Sequence, residues 1–397
     1  MADQNSILDK IIQSRQIQEA TQFNPTELIS NLFKNLSAKE RDILSRRFGL
    51  SAKEKETLEQ IGAYYKITRE RIRQIEAGTI RKLRTLENFR SEIEAAEHNV
   101  THLLEAHGGV MEENHLLNEL LAYTDTNETN RQASLFILNH LLDDKVQRLK
   151  ADREVQSGWM LPTFSPTTLK SILQELIEII QQENNLLATE LLLQKFRERE
   201  AFERHRTQIV LGELATGHER AVEEAVSRAI HSYLTISKEI DRNILGEWGL
   251  SRWQTVTPKR MGDKVYLVLR KTGKPLHFTE ISSLINQANF DAKTAYPATI
   301  HNELILDDRY VLVGRGIYAL KEWGYSTGPV LDVVAQLLAE SKAPLTKEEI
   351  IKHVLEQRIV RKSTILLALT NRDHVTRLAD GTYTANRAAT ELLSAGS

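Results

Sequence analysis

Between Lys66 and Arg84 the chain concentrates seven Lys and Arg against two acids, although its formal net charge is only −2. A local excess of +5 is drawn to phosphate. Taken at about 100° per residue, Ile72, Ile75, Thr79 and Leu83 fall on one stripe, while Arg69, Glu70, Arg73, Gln74, Ala77, Arg81 and Arg84 fan across the other side. The first is a packing face and the second a reading face. Near the start of a helix seated in the major groove, Arg can grip guanine and Gln can grip adenine through paired hydrogen bonds, and Glu70 can accept from cytosine. A basic helix face taken alone is usually just solvated; a packing stripe, a cap and a preceding helix weigh the other way here.

Those preceding elements have the spacing that a reading helix needs. Leu58-Glu59-Gln60-Ile61-Gly62 reads as a short first helix, a few turn residues follow, and the second helix begins at Thr68-Arg69-Glu70. Thr68 is placed to cap the first free amides, Glu70 complements the positive helix end, and Ile67 with Ile72 forms a hydrophobic staple. The spacing predicts a helix-turn-helix.

Three phrases carry a resemblance: Arg47-Phe48-Gly49-Leu50, Thr57-Leu58-Glu59-Gln60-Ile61-Gly62, and Thr68-Arg69-Glu70-Arg71-Ile72-Arg73-Gln74-Ile75-Glu76-Ala77. Residues 36–84 resemble region 4 of the sigma-70 family of bacterial RNA polymerase sigma factors. The resemblance implies that the second helix reads a promoter element and that the helices before it hold the flap of the polymerase β subunit. It assigns base reading to Arg69, Glu70, Arg73 and Gln74. To Arg71, Arg81, Lys82 and Arg84 it gives backbone or structural contacts, with Thr68 at the helix start completing the DNA-binding set. Gly78 departs from the family, which usually has Lys there for activator contact. The match covers about an eighth of the chain, and nothing upstream resembles the aromatic-rich helices that melt promoters.

The first thirty-five residues read as helix, with Ile7, Leu8, Ile11 and Ile12 on one face and a restart at Asn24-Pro25-Thr26. Beyond residue 90 an opening phrase recurs, at Met111–Leu116, Leu186–Leu191, Leu276–Ile281 and Leu345–Ile350, each after an apolar helix and a turn-forming break. The last two copies close with hairpins: Tyr310–Val313 with Ile317–Leu320 across Gly314-Arg315-Gly316, and Val375–Leu378 with Tyr383 across Asp380-Gly381. Three helices and a short hairpin make a winged helix. Trp159, Trp248 and Trp323 fall near the ends of the first three copies, which suits an aromatic that seals a hairpin onto its helices, with an ordinary core role favoured over a binding one; Pro162 and Pro166 mark a linker.

The fold class expected is mainly α, a helix-turn-helix domain followed by tandem winged-helix modules. The expected boundaries are 1–90, 91–163, 168–255, 258–325 and 326–390. Lys271–Ile281 through Arg309–Trp323 resembles a HARE-type winged helix like that of the polymerase delta subunit, and Lys342–Tyr383 resembles a diverged second copy. Arg315, Arg361 and Lys362 are candidate wing contacts to a DNA backbone, while Glu303, Asp307 and Asp308 oppose phosphate; protein docking and DNA contact stand level for these two modules.

Composition removes many alternatives. The chain has 397 residues and no Cys, so disulfides, thiolate chemistry and Cys-ligated zinc are excluded, and a reducing cytoplasm fits. Its start lacks the pattern of a signal peptide and no stretch is apolar enough to span a bilayer, so neither export nor a membrane is expected. Residues 91–250 hold 15 Lys and Arg against 27 Asp and Glu, which repels phosphate and points to a further protein partner. No Walker loop, HExxH pair or Rossmann fingerprint is present; no catalytic residue, cofactor or metal is expected, and a His such as His115 or His277 reads as structural. The leading expectation is a non-enzymatic, sigma-like transcription factor that binds promoter DNA and the RNA polymerase core without the promoter-melting regions. The alternatives are a delta-like scaffold that grips the flap without reading DNA, and a DNA-binding subunit associated with a nuclease.

Overall fold

The computed structural model describes residues 23–51, 54–142, 144–211, 219–326, 328–341 and 343–386. The apolar face at Ile7–Ile12 lies outside the described residues. The fold is mainly α with small antiparallel sheets, and it contains a helix-turn-helix. It divides into two compact units, residues 1–241 and 242–397.

In the first unit, α1 (Pro25–Phe33) starts where the sequence places a helix restart: Asn24 accepts from the Glu27 amide and Pro25 occupies the first turn, where its missing N–H costs nothing. α2 (Ala38–Phe48) opens with a capping box between Ser37 and Glu40 and ends on Gly49 in the left-handed region. α3 (Leu58–Tyr65) and α4 (Arg69–Arg84) complete a head. This head does not stand by itself. The Phe48 ring packs on Phe136 and His140 at 4.9 and 4.8 Å, Thr26 bonds Asn130 at 2.9 Å, and Thr124 donates to the Phe23 carbonyl at 3.0 Å. All of these reach α7 (Glu128–His140) or the loop before it.

Between head and α7 run α5 (Phe89–Ala106), β1 (Val110–Glu112) and α6 (Glu113–Leu120). After α7 come β2 (Gln147–Leu149) and β3 (Gly158–Met160), which join β1 in a sheet of order β1-β3-β2. The stretch at Pro162–Pro166 is well anchored, with Leu161 and Phe164 buried and the Leu161 amide bonded to Gly109 O at 2.9 Å. α8 (Pro166–Glu183), α9 (Thr189–Arg197), α10 (Glu200–Ile209) and α11 (Glu219–Ile236) follow. α11 returns to the start of the sheet, where the Tyr233 hydroxyl donates to Gly108 O and Ser232 to Val110 O, both at 2.7 Å. At this junction His107, His115 and His231 pack ring to ring at 5.2 and 5.6 Å.

β4 (Ile240–Arg242) and β5 (Trp248–Leu250) lie where one unit gives way to the other. The second unit then repeats one plan twice. α12 (Met261–Thr272), β6 (Leu276–His277), α13 (Phe278–Ala288), α14 (Pro297–Leu306), β7 (Tyr310–Gly314) and β8 (Ile317–Leu320) enclose Val265, Leu269, Ile281, Ile300 and Leu304 under a sheet of order β6-β8-β7. The tight turn between β7 and β8 uses Gly316 at φ 70°, where a Cβ would also strike the His277 ring. α15 (Val330–Glu340), α16 (Lys347–Gln357), α17 (Lys362–Ala368), β9 (Val375–Arg377) and β10 (Tyr383–Ala385) form the second round over Val333, Val334, Ile350 and Ile365. Arg358 ties the rounds together by donating to the carbonyls of Leu312 and Gly328, beside an Ile359 amide bonded to Val313 O at 2.8 Å.

The recurring opening phrase has a common geometry in three of its four copies. Met111 pairs with Trp159, Leu276 with Tyr318, and Leu345 with Tyr383, so each opening residue bonds the last strand of its own hairpin before a helix begins. Trp159 and Trp248 are buried in their strands, and Trp323 is half-buried against the core beneath β7 and β8.

Two stability predictions follow from this packing. A Cβ at Gly78 on α4 would meet nothing within 4 Å, so Gly78→Ala is expected to raise stability by about 0.5–1 kcal/mol, read as a higher urea midpoint. Burial holds His107 and His115 below the ordinary value of 6.5; the Arg228 charge pushes His107 the same way, while Glu119 and Glu112 act against the shift at His115. Because the unfolded chain then takes up protons first, this contribution is present above about pH 6.5 and is lost as pH falls. Urea midpoints measured across that range should fall with pH, and less steeply in the His107→Gln, His115→Gln double variant.

Candidate nucleic-acid interface

The positioning of α4 begins one helix earlier. Thr57 and Gln60 form a reciprocal capping box on α3, with the Thr57 amide donating to the Gln60 side chain at 2.8 Å and the Gln60 amide to Thr57 Oγ1 at 3.2 Å. Lys66 ends α3 in the left-handed region, at φ 55°, and turns the chain toward Thr68. The turn is tight: a Cβ on Gly62 would stand 2.8 Å from the Ile67 carbonyl oxygen, so this helix position has room only for Gly.

Thr68 caps α4, its hydroxyl accepting from the Arg71 amide at 3.2 Å. Ile67 and Ile72 meet in one cluster with Ile43 of α2 and Ile61 of α3, so the staple also joins three helices. Ile72, Thr79 and Leu83 are buried and Ile75 is half-buried. With that stripe turned inward, Thr68, Arg69, Glu70, Arg71, Arg73, Gln74, Arg81, Lys82 and Arg84 are all exposed.

These side chains fall into two groups. At the start of the helix, Arg73 forks onto Glu70 at 2.9 and 2.7 Å, Gln74 reaches Glu70 at 3.5 Å, Arg71 donates to Gln74 at 3.2 Å, and Arg69 stands 3.5 Å from Glu59. The Arg73 hydrogen bonds lower the Glu70 pKa, and Glu70 in turn raises that of Arg73. All are surface contacts, which solvent weakens and a ligand can exchange. At the far end, Lys82 pairs with Glu40 at 3.0 Å and Arg84 donates to the His140 carbonyl at 2.9 and 2.5 Å, while Arg81 bonds back to Ala77 O at 3.3 Å. Lys82 and Arg84 thus hold α4 against the rest of its unit.

Residues that the sequence pattern does not mark also belong here. Glu76 is pushed up by burial on the inner edge of α4, and Arg47 at 3.5 Å opposes that shift. Tyr64 is exposed beside the turn with the Arg46 guanidinium 4.0 Å above its ring, and Arg46 is itself held by Asp42 and Glu56. Periodicity misses such pairs, because they join different helices. The candidate wing residues lie in the second unit: Arg315 is exposed at the β7–β8 turn, and Arg361 and Lys362 are exposed at the start of α17.

Comparison with known proteins places this geometry. Residues 32–85 match the family model for sigma-70, region 4. Over 58 residues the chain is 52% identical to RNA polymerase sigma factor SigA of Microcystis aeruginosa and 52% identical to SigA of Synechocystis. It is 47% identical to SigA of Lactococcus lactis subsp. cremoris over the same length. The match takes up 15% of this chain and 14% of the Microcystis protein, so the chain spans about a seventh of that relative's length. The helix-turn-helix and the helix before it are the segment this protein shares with sigma-70 region 4.

Proposed function

We propose that this protein is a sigma-like, non-enzymatic transcription factor of the bacterial cytoplasm, acting in transcription initiation. α4 enters the major groove of a promoter element, and the head docks on the RNA polymerase core. The observation that carries this reading is the coincidence of the region 4 match with nine exposed polar side chains opposite a packed stripe. Arg69, Glu70, Arg73 and Gln74 read base edges, with the Arg73–Glu70 fork opening as each gains a base partner. Arg71 and Arg81 meet phosphate. Arg84 and Lys82 orient the helix through their contacts to His140 and Glu40. The protein supplies the positioning half of promoter recognition and leaves melting to other parts of the initiation machinery.

The α-β-α-α-β-β round of the second unit, the α-α-α-β-β round after it and the acidic helices of the first unit are read as winged-helix modules, similar in plan to the delta subunit. They serve as an arm toward polymerase or another protein. A second reading is supported by the Arg73–Glu70–Gln74 network, which satisfies the reading residues within the chain. In that reading the head grips the β flap only, and the protein is a delta-like scaffold.

Replacing Arg73 and Gln74 with Ala separates the two. Promoter reading requires a loss of about 1–3 kcal/mol per bidentate contact and a relaxed preference for specific over scrambled duplex, measured by fluorescence anisotropy. Unchanged DNA binding by the variant would support the scaffold. Arg81→Ala is expected to weaken specific and scrambled duplexes alike and to reduce the salt slope by about one. Affinity purification from the native cell tests both readings, and a preparation free of polymerase subunits would overturn them together.

A further inference from the structure

The second unit holds a groove of about 960 Å³ between the start of α12, the C-terminal end of α14 and the segment after β8. Its floor is apolar and aromatic, with Leu267 buried and Tyr266 half-buried, and its lip carries Leu306, which is 82% exposed.

The charge of the groove is one-sided. Five carboxylates line it against Arg309 and Lys321. Arg309 is already engaged, at 3.1 Å from Asp263 and 2.7 Å from Asp307, with its guanidinium near the rings of Tyr266 and Tyr310. Glu322 receives only the Tyr266 hydroxyl, at 3.3 Å, and among the described residues Glu303, Asp308 and Glu322 make no ion pair. The same lip contains the C-terminal end of α14, whose last turn has no basic residue to balance the partial negative charge of its free carbonyls. Phosphate is repelled by such a surface, whereas cations are attracted.

We propose that this groove is a docking site for a basic segment of another protein, in which Lys or Arg side chains meet Glu303, Asp308 and Glu322 while an aliphatic side chain packs on Leu306. Exposed leucine, apolar floor, carboxylates without an ion pair and a helix end with no basic residue in its last turn all select the same occupant. Electrostatic complementarity of this kind sets the partner and the rate of encounter, and contact with Leu306 and the floor supplies the apolar burial. The proposal stands apart from promoter reading by α4, since no residue of the head enters it.

The test uses the full chain and a short fluorescein-labelled peptide of alternating lysine and leucine, with a glutamate–leucine peptide as control, read by anisotropy over a range of salt. The wild type should bind the lysine peptide, more weakly as salt rises, and not the control. Charge reversal by Glu303→Lys and Asp308→Lys should weaken binding by about tenfold or more. The isosteric pair Glu303→Gln and Asp308→Asn should fall between, with the thermal melt of each variant confirming that it is folded. Leu306→Ser should weaken the lysine peptide without changing its salt dependence. Equal binding of the two peptides, or an affinity that charge reversal leaves unaltered, would overturn the proposal. So would a photoreactive benzoylphenylalanine at position 306 that crosslinks to duplex DNA, because the face would then belong to nucleic acid.

Discussion

The cluster of Ile43, Ile61, Ile67 and Ile72 is the contact on which the rest of the head depends. It brings three helices together through side chains that each contribute about 1.5–3 kcal/mol on burial, and it does so at the only side of α4 that is apolar. Gly62 makes it possible by letting the backbone at Ile67 approach to a distance no Cβ would tolerate. Once Ile72 is committed to this cluster, the helical period sends Arg69, Arg73 and Gln74 to the outside without further instruction. The exposed cationic face is a by-product of the packing face.

Beyond the head, one device recurs: a short extended residue bonds the final strand of its own hairpin and then starts a helix. This closes each round into a loop of helices held at both ends by backbone hydrogen bonds, so two or three residues of strand are enough. Buried aromatics complete the closure, Trp159 on β3 and Tyr318 on β8. The hydrogen-bonding requirement of buried backbone explains why so small a sheet persists in a mainly helical protein.

Charge is distributed according to the same logic of partners. Cations at the far end of α4 are fastened to the unit, those at its start are paired only at the surface, and the groove beside α14 keeps carboxylates without cations. Lys82 and Arg84 are themselves exposed, so salt and competing ligands act on all three groups. The chain therefore presents a cationic face on α4 and an anionic groove, each on a framework built by apolar contacts.

The sequence by itself determined local features. Asn24 and Thr68 announce helix starts because a capping side chain bonds an amide three residues on. The helical period sorted α4 into two faces, and the Gly314-Arg315-Gly316 turn marked its hairpin, because both are properties of a few consecutive residues. Tertiary structure decided what depends on distant segments meeting. Arg84 on the His140 carbonyl, Phe48 on Phe136, Glu76 beside Arg47 and the α11 hydroxyls on the backbone of Gly108 and Val110 span separations that carry no periodic signal. The groove under Leu306 is legible in sequence only as scattered acids, since its shape exists once α12, α14 and the segment after β8 are packed together.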